Sequence, residues 1–443
     1  MLLLEWLSYI FYLGVYKLRT LIKGGQLISH SYEGKYDILI SNGRIEKIAK
    51  SISSDGKYTE IDVSNCLVFP GFIDMHTHLR EPGYEYRETL NTGLKAALHG
   101  GVTTLACMPN TLPPIDNKAN VSFLLGKSKR LDLADLLVIG AITKGREGKE
   151  LANMGEMKMA GAIAFSDDGS PVTNSHVMRR AMEYAKVLGL PIISHCETLE
   201  LSDGGHMREG WFSTYFGIHP IPDVAESIMV GRDIELSYLT GEHLHVAHVS
   251  TKRSVSLIRQ AKRDGIPITC EVTFNHLLFT DEALSDYDTN KKVNPPLPTR
   301  KDQEALYEAL EDGTIDILVT DHAPYAPHEK EVEFQRSPFG ISGLDLFTNM
   351  LFEVHRRLGI EMKKLVEAAT FIPARLYHLE DRGDIKEGDL ADLVIFDPEQ
   401  TWKCLPETLY SKGKNTPFVG KEIKGKVITT LEEGKIVYDA EKG

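Results

Sequence analysis

The sequence lacks the excess of positive charge that a nucleic-acid-binding protein needs. Its 443 residues include 50 lysines and arginines against 63 aspartates and glutamates, which gives a formal net charge of -13. Because binding a phosphate backbone requires clustered cationic side chains, we expect no nucleic-acid partner. Pro-rich and Ser-rich tracts are also missing, and a composition that is 42% hydrophobic and 26% charged is typical of a globular chain.

Cysteines are few and scattered, with no CxxC pair among them. The five are Cys66, Cys107, Cys196, Cys270 and Cys404. An odd number at irregular spacing argues against a disulfide framework and against a zinc site made of cysteines. We therefore expect a reducing compartment, the cytoplasm, for this protein.

A long apolar run that would span a membrane is missing as well. The stretch MLLLEWLSYIFYLGVY is strongly apolar, but it carries Glu5 and reaches only 16 residues before Lys17. That is short for a membrane span, and without a basic region or a cleavage site it makes a poor signal peptide. We interpret residues 1–17 as an apolar extension that packs on the body or is disordered, with a membrane-surface anchor as the alternative.

A unit of an amphipathic helix, a glycine and a short apolar strand recurs along the chain. It pairs SHVMRRAMEYAKVLGL with PIISHCE, AESIMVGRDIELSYLTG with HLHVAHVS, TKRSVSLIRQAKRDG with IPITCEVT, and RKDQEALYEALEDG with TIDILVTDH. Four earlier strands are LVFPGFID, TTLACM, LLVIGA and GAIAFS. This alternation predicts an α/β fold, a (β/α)8 TIM barrel over residues 69–379, whose active site lies at the carboxyl ends of the strands.

The flanking segments have a different pattern. Residues 18–68 and 380–443 contain short strands such as KYDILISNGRIEKIA and EIKGKVITTLEEGKIVY, joined by Asn-Gly and Glu-Gly turns, and no long helix. Such turns between apolar runs are typical of hairpins. We predict that both chain ends form one small β-domain, a β-sandwich, with the barrel inserted between them.

Histidines and aspartates gather at the predicted carboxyl ends of the barrel strands. His76 and His78 follow the first strand and, because strand side chains alternate, point to the same face. The other members are Asp167 and Asp168 after the fourth strand, His195 after the fifth, His248 after the sixth and Asp321 after the eighth. Four imidazoles and two of these three carboxylates suit zinc and exceed what one four-coordinate ion needs, so two bridged ions are an option.

Each of these residues alone has an ordinary structural explanation. A lone HxH occurs by chance, and a single histidine at a strand end is more often a hydrogen-bonded rim residue. His245 lies earlier in the same strand as His248, and the alternation does not decide between them. We choose His248 because it lies nearest to the strand end, and we rest the metal site on the joint pattern.

A series of short motifs runs along the chain in the order HTHLREPG, MPNT, FSDDG, SHCE, HVAHVST, VNPPL, TDHAP and SPFG. This series resembles the dihydroorotase family of the amidohydrolase superfamily, in its class I bacterial form. The resemblance covers nearly the whole chain from about Leu18. It implies a small-molecule substrate, dihydroorotate, hydrolysed reversibly to N-carbamoyl-L-aspartate in pyrimidine biosynthesis by a zinc-bound hydroxide.

The resemblance also implies individual roles. One or two zinc ions per chain would be bound by His76 and His78, by His195 and His248, and by Asp168 as the bridge; Asp321 would ligate the first metal and act as the catalytic general base. The implied substrate contacts are His78, Arg80, Asn110, Asn294, Tyr325, Phe339 and Gly340. Arg80 suits a carboxylate because its planar guanidinium can donate two parallel hydrogen bonds.

The sequence departs from its relatives at two points. Many members of the superfamily bridge their metals with a carboxylated lysine, but the nearest lysine, Lys158, lies in a helical pattern, so an aspartate bridge is expected. After TDHAP the family usually has a histidine that contacts the substrate, and this chain has Tyr325. A phenol donates a hydrogen bond but carries no positive charge; His328 is a candidate substitute.

Two other functions stay in view. One is a related cyclic-amide hydrolase, an allantoinase or a hydantoinase; those relatives commonly have the bridging lysine and lack MPNT with VNPPL. The other is a weakly active chain that scaffolds aspartate transcarbamoylase, which loss of metal ligands would mark, and none is lost here. A homodimer and an association with aspartate transcarbamoylase are the protein partnerships we consider.

Overall fold

A computed structural model describes residues 19–53 and 58–442 of the chain. It contains a parallel barrel and a second sheet, which confirms the predicted α/β barrel and the small β-domain built from both chain ends. The apolar extension predicted over residues 1–17 lies outside the described residues. Within those residues, no helix combines the length and the apolar character that crossing a membrane would require.

The two chain ends meet in one hydrogen-bonded sheet. Its strands are β1 (Arg19–Ile28), β2 (Glu33–Ser41), β3 (Arg44–Ala49), β4 (Thr59–Asp62), β5 (Leu67–Pro70), β16 (Leu393–Lys403), β17 (Glu422–Glu432) and β18 (Lys435–Asp439). They run in the order β18-β17-β16-β5-β1-β2-β3, with β4 beside β1. The pairing of β16 with β5 therefore joins the two ends, around a core that includes Ile22, Val68 and Leu393.

Both hairpin turns expected in this sheet are present. Asn42 and Gly43 connect β2 to β3, and Glu433 and Gly434 connect β17 to β18. All four residues have positive φ, between 46° and 78°. Two-residue loops of this kind match the twist of the strands they join, which explains why the short Asn-Gly and Glu-Gly signals were informative.

The barrel has eight parallel strands. They are β6 (Phe72–Thr77), β7 (Val102–Cys107), β8 (Asp135–Gly140), β9 (Ala162–Ser166), β10 (Ile192–Ser194), β13 (Leu244–Val246), β14 (Ile268–Thr273) and β15 (Ile317–Val319). Between β15 and β6 the barrel closes through pairing of Thr77 with His322, where the His78 N–H donates to the His322 carbonyl at 2.8 Å. A separate short pair, β11 (Met207–Arg208) and β12 (Pro220–Ile221), lies in the loop after β10.

Gly71 separates the two sheets. The run LVFPGFID contains β5 and β6 with one residue between them, so a boundary at residue 69 falls inside β5. A Cβ on Gly71 would lie 2.2 Å from Oγ1 of Thr103, and no side chain fits there. Because β5 and the start of β6 are both buried and apolar, the sequence shows one continuous run and does not reveal the boundary between the two strands.

Helices surround the barrel, and their ends follow the sequence signals. The α-helices are Leu90–His99, Lys118–Leu131, Met154–Met159, Ser175–Leu188, Leu199–Ser202, Trp211–Phe216, Val224–Thr240, Lys252–Arg263, Phe274–Leu278, Arg300–Glu311, Pro327–Lys330, Phe347–Leu358, Met362–Ala368 and Phe371–Leu376. Short 3-10 helices span Lys144–Arg146, Asp281–Asp286, Thr289–Lys291, Leu344–Leu346 and Pro406–Thr408. Asn174 caps one start, and Gly189 and Gly241 end two helices in the left-handed conformation.

Candidate metal centre and active site

The predicted histidines and aspartates converge at the carboxyl ends of the barrel strands. His76 lies in β6 and His78 directly after it, and the others follow β9, β10, β13 and β15 by one or two residues: Asp168, His195, His248 and Asp321. All six side chains are buried. His248 and Asp321 have positive φ, 33° and 48°, a conformation that strains non-glycine residues and is common where a site fixes side-chain direction.

Asp168 lies at the centre of the set. Its Oδ1 is 3.5 Å from Nε2 of His76, 3.3 Å from Nε2 of His248 and 3.5 Å from Nδ1 of His195, and its Oδ2 is 3.6 Å from Nε2 of His78. Two groups of three possible ligands share this carboxylate. They are His76 with His78 and Asp168, and Asp168 with His195 and His248.

Asp321 completes the first group. One of its oxygens lies 2.9 Å from Nε2 of His78 and 3.6 Å from Nε2 of His76. Burial disfavours its charge, but the hydrogen bond from His78 and the nearby imidazoles outweigh it and lower the pKa of Asp321. The carboxylate is therefore ionised at neutral pH and able to accept a proton.

The charges of the set fit a bound cation. Burial opposes ionisation of Asp168, yet the surrounding imidazoles hold its pKa well below the usual value. The pKa of His195 is raised to about 10, because Asp168 and Glu197 outweigh the cost of burying a charge. Nε2 of His76 is buried without a hydrogen-bond partner and faces Asp168. Imidazole nitrogens that converge on a carboxylate are the donor set of a zinc-like ion.

Outer residues orient these imidazoles. Glu271 lies 2.5 Å from Nδ1 of His76, 3.1 Å from Nε2 of His245, and accepts the backbone N–H of His248 at 3.2 Å. His245 is thereby turned toward Glu271, and the structure brings His248 to Asp168. Glu197 lies 3.0 Å from Nε2 of His195. Such partners fix which nitrogen would face a metal.

A cavity of about 430 Å³ opens over this centre. The residues predicted to contact substrate all line it: His78, Arg80, Asn110, Asn294, Tyr325, Phe339 and Gly340. Asn110 accepts from His78 at 2.8 Å if Nδ1 carries the proton, which leaves the Asn110 amide nitrogen as a donor. A larger open cavity of about 830 Å³ lies beyond Tyr325, but no histidine is among its described lining residues.

Tyr325 is surrounded by cationic side chains. The guanidinium carbons of Arg80 and Arg87 lie 4.8 and 4.7 Å from the centre of its ring, and Nζ of Lys330 lies 5.6 Å away. Stacking on an aromatic face holds a guanidinium in place. His328, the other residue considered for this role, instead packs against Tyr86 with ring centres 6.3 Å apart and is absent from the described cavity lining.

Two buried lysines secure the loop that carries Phe339 and Gly340. Nζ of Lys292 donates to the carbonyls of Phe334 and Ser337, and Nζ of Lys330 donates to that of Pro338. Burial lowers the pKa of Lys292 to about 8 and that of Lys330 to about 7. These contacts set the position of the loop over the cavity.

Several residues of the site did not emerge from the sequence. Glu271 orients two histidines, and Arg87 and Arg146 line the cavity. One signal was available for Glu271, because a charged residue inside the apolar strand ITCEVT calls for a buried partner. The arginines lie in loops, where sequence gives no sign of which side chains reach the cavity.

The amidohydrolase family profile matches residues 67–437, which is most of the chain. The chain belongs to the amidohydrolase family. Within it, a dihydroorotase from Syntrophus aciditrophicus is 45% identical over 424 residues, 95% of this chain and 99% of that protein. A dihydroorotase from Aquifex aeolicus is 46% identical, with the same shares of the two chains. The resemblance to the dihydroorotases that the motifs indicated is thereby confirmed.

Solved structures of other proteins share the fold. An L-hydantoinase (dihydropyrimidinase) from Arthrobacter aurescens has a TM-score of 0.83 at 24% identity and covers 95% of this chain and 96% of its own. A dihydropyrimidinase from Brevibacillus agri has a TM-score of 0.81 at 24% identity, with 95% of both chains covered. At this identity the likeness establishes the shared fold alone.

Proposed function

We propose that this protein is a dihydroorotase, which hydrolyses the ring amide of (S)-dihydroorotate reversibly to N-carbamoyl-L-aspartate in pyrimidine biosynthesis. The observation that carries the proposal is a cavity with a metal-ligand set at its base and the carboxylate-binding groups Arg80 and Asn110 in its wall. Relatives named dihydroorotase, matched over 95% of this chain, support the same reaction.

The resident cofactor of this proposal is zinc, one or two ions per chain. His76, His78 and Asp321 would bind the first ion, His195 and His248 the second, and Asp168 would bridge them. Bound zinc supplies a Lewis acid and lowers the pKa of a coordinated water toward neutrality. The buried, unpartnered Nε2 of His76 and the convergence of imidazoles on Asp168 support this fit.

The chain's own residues hold the substrate and move the proton. Arg80 would bind the ring carboxylate, helped by Asn110 and Asn294, while the backbone of Phe339 and Gly340 would bind the ring. Asp321, ionised and beside His78, would accept the proton of the attacking water and deliver it to the departing amide nitrogen.

A hydantoinase or allantoinase is the competing function. In that reading a lysine is expected at the bridge, but Lys158 lies on an exposed helix, where its amine donates to the carbonyl of Leu188. A scaffold for aspartate transcarbamoylase is the other, and the complete ligand set speaks against an inactive chain. We propose a cytoplasmic enzyme, since all five cysteines are free thiols. A homodimer and an association with aspartate transcarbamoylase are further proposals.

One assay separates these functions. The purified full-length protein, loaded with zinc, is tested for ring opening of dihydroorotate, allantoin and hydantoin, with a chelated sample as the control and metal content measured in each. We expect turnover of dihydroorotate alone, lost on chelation and restored by zinc. Zinc-loaded protein that leaves dihydroorotate intact would contradict the proposal, and preferred turnover of hydantoin would favour the competing function.

A further inference from the structure

Arg146 reaches the active-site cavity from the loop that follows β8. It belongs to the short helix Lys144–Arg146 and is half-buried in the cavity wall. Nη2 donates to the backbone carbonyl of Asp168 and, at 3.0 Å, to Oγ of Ser170. Its Nε is buried without a hydrogen-bond partner. The side chain is thus anchored at one nitrogen and unsatisfied at another.

The cavity holds more positive charge than its own acidic groups balance. The carboxylates in its described lining are Asp168 and Asp321, and both face the histidines. Arg87 has a carboxylate of its own, since its Nε lies 3.0 Å from both oxygens of Glu329. Arg80 donates to the carbonyl of Pro324. In the described part of the chain neither Arg80 nor Arg146 forms an ion pair, although the charges of Asp168 and Asp167 act on Arg146 from farther away.

Arg146 and Asn110 approach the same point of the wall. A Cβ placed on Gly169 would lie 3.6 Å from Nη2 of Arg146 and 3.9 Å from the amide nitrogen of Asn110. Glycine at this position leaves room between two donor groups. Nη2 already donates to Asp168 and Ser170, so the donors that Arg146 has left are those of Nε and Nη1. Because a guanidinium only donates and the Asn110 oxygen faces His78, these donors and the Asn110 amide suit an anion.

We propose that Arg146 is a second guanidinium, beside Arg80, that binds the carboxylate on the substrate ring and selects carboxylated cyclic amides over neutral ones. The inference rests on the proposed function and adds a specificity-determining residue to it. A carboxylate has two oxygens and can accept from two guanidiniums at once. A ring without the carboxylate gains nothing from either arginine.

Two inhibitors that differ only in this carboxylate test the inference. N-carbamoyl-L-aspartate carries it and N-carbamoyl-β-alanine does not, and each is titrated against dihydroorotate turnover by zinc-loaded protein. In Arg146→Met we expect the inhibition constant of N-carbamoyl-L-aspartate and the KM for dihydroorotate to rise about tenfold. The inhibition constant of N-carbamoyl-β-alanine is expected to change less than about twofold. Arg146→Lys keeps the charge but lacks the planar guanidinium, and we expect its constants to lie between those of wild type and Arg146→Met.

Arg179→Met, which removes an exposed arginine paired with Glu183, is the matched control and is expected to change neither constant. Equal loss for both inhibitors, or loss of zinc from Arg146→Met, would show that Arg146 acts through Asp168 and would overturn the inference. Unchanged constants would overturn it too. If wild-type protein does not turn over dihydroorotate, the proposed function is contradicted, and this inference, which rests on it, is contradicted as well.

Discussion

The carboxylate of Glu271 lies 2.5 Å from Nδ1 of His76, on the opposite side of the imidazole from the Nε2 that faces Asp168. Glu271 is fully buried in β14, and its ionised form is favoured by His76 and His245, which lower its pKa despite burial. The pair fixes the tautomer and the direction of a candidate metal ligand. One carboxylate in the barrel interior thereby positions the ligand set without lining the cavity.

Removing the charge of Glu271 is expected to weaken metal binding. In Glu271→Gln we expect the affinity for zinc to fall about 10–100-fold, since a neutral amide accepts the Nδ1–H of His76 more weakly than a carboxylate does. Titration against a competing chelator measures this. Glu242→Gln is the matched control. Glu242 is buried just before the start of β13, at the opposite end of that strand from His248, and its replacement should leave the affinity unchanged. Equal affinities in all three proteins would contradict the role of Glu271.

Replacing Asp321 by asparagine tests the general base. The amide keeps the shape but accepts no proton, so we expect kcat to fall about 10²–10⁴-fold while KM changes little. Asp316→Asn, just before the same strand β15, is the control and is expected to keep kcat. Metal content is measured in parallel. Full recovery of kcat by added zinc would show that Asp321 serves only as a ligand.

The ring of Tyr325 is expected to matter more than its hydroxyl. Tyr325→Phe keeps the face that contacts Arg80 and Arg87, whereas Tyr325→Ala removes it. We expect the KM for dihydroorotate to rise less than about threefold in the first variant and about 5–30-fold in the second. His328→Ala, outside the described cavity lining, is expected to match wild type. A larger effect of phenylalanine than of alanine would contradict this view.

Stability is expected to depend on pH through Glu432. Burial, then the carboxylates of Asp135 and Asp392, raise the pKa of Glu432 to about 8 from an ordinary 4.5. The folded state therefore holds a proton on Glu432 that the unfolded state releases. The contribution of this group to the free energy of unfolding is fully present below pH 4.5 and is lost as the pH rises through 8. Arg382, paired with Asp135, offsets only part of this charge.

In Glu432→Gln the neutral amide removes this loss. Relative to wild type we expect little change at pH 5 and a gain of about 1–2 kcal/mol at pH 9, allowing for partial exposure of the side chain. Thermal unfolding at the two pH values measures it. Glu433→Gln, at an exposed neighbour, is the control. A gain of the same size at both pH values would contradict the assignment.

Much of the fold and the ligand set could be predicted because their signals are local. The alternation around His76 and His78 fixes their common direction, and the Asn42-Gly43 turn marks a hairpin by backbone preference alone. Glu271 and Arg146 were missed because their partners, His76 and Asp168, are far away in sequence and meet them only when the barrel closes. The choice of His248 over His245 likewise depends on where Glu271 lies.

The carboxylate of Asp168 is genetically encoded, whereas a carboxylated lysine forms only when its amine reacts with carbon dioxide after the protein has been made. No lysine is among the described residues that line the cavity. Assembly of the proposed metal centre would therefore depend on folding and metal supply alone. Apoprotein prepared by chelation is expected to regain activity with zinc in carbonate-free buffer as completely as with bicarbonate, and a bridge formed by Asp168 would not be lost by decarboxylation in mild acid.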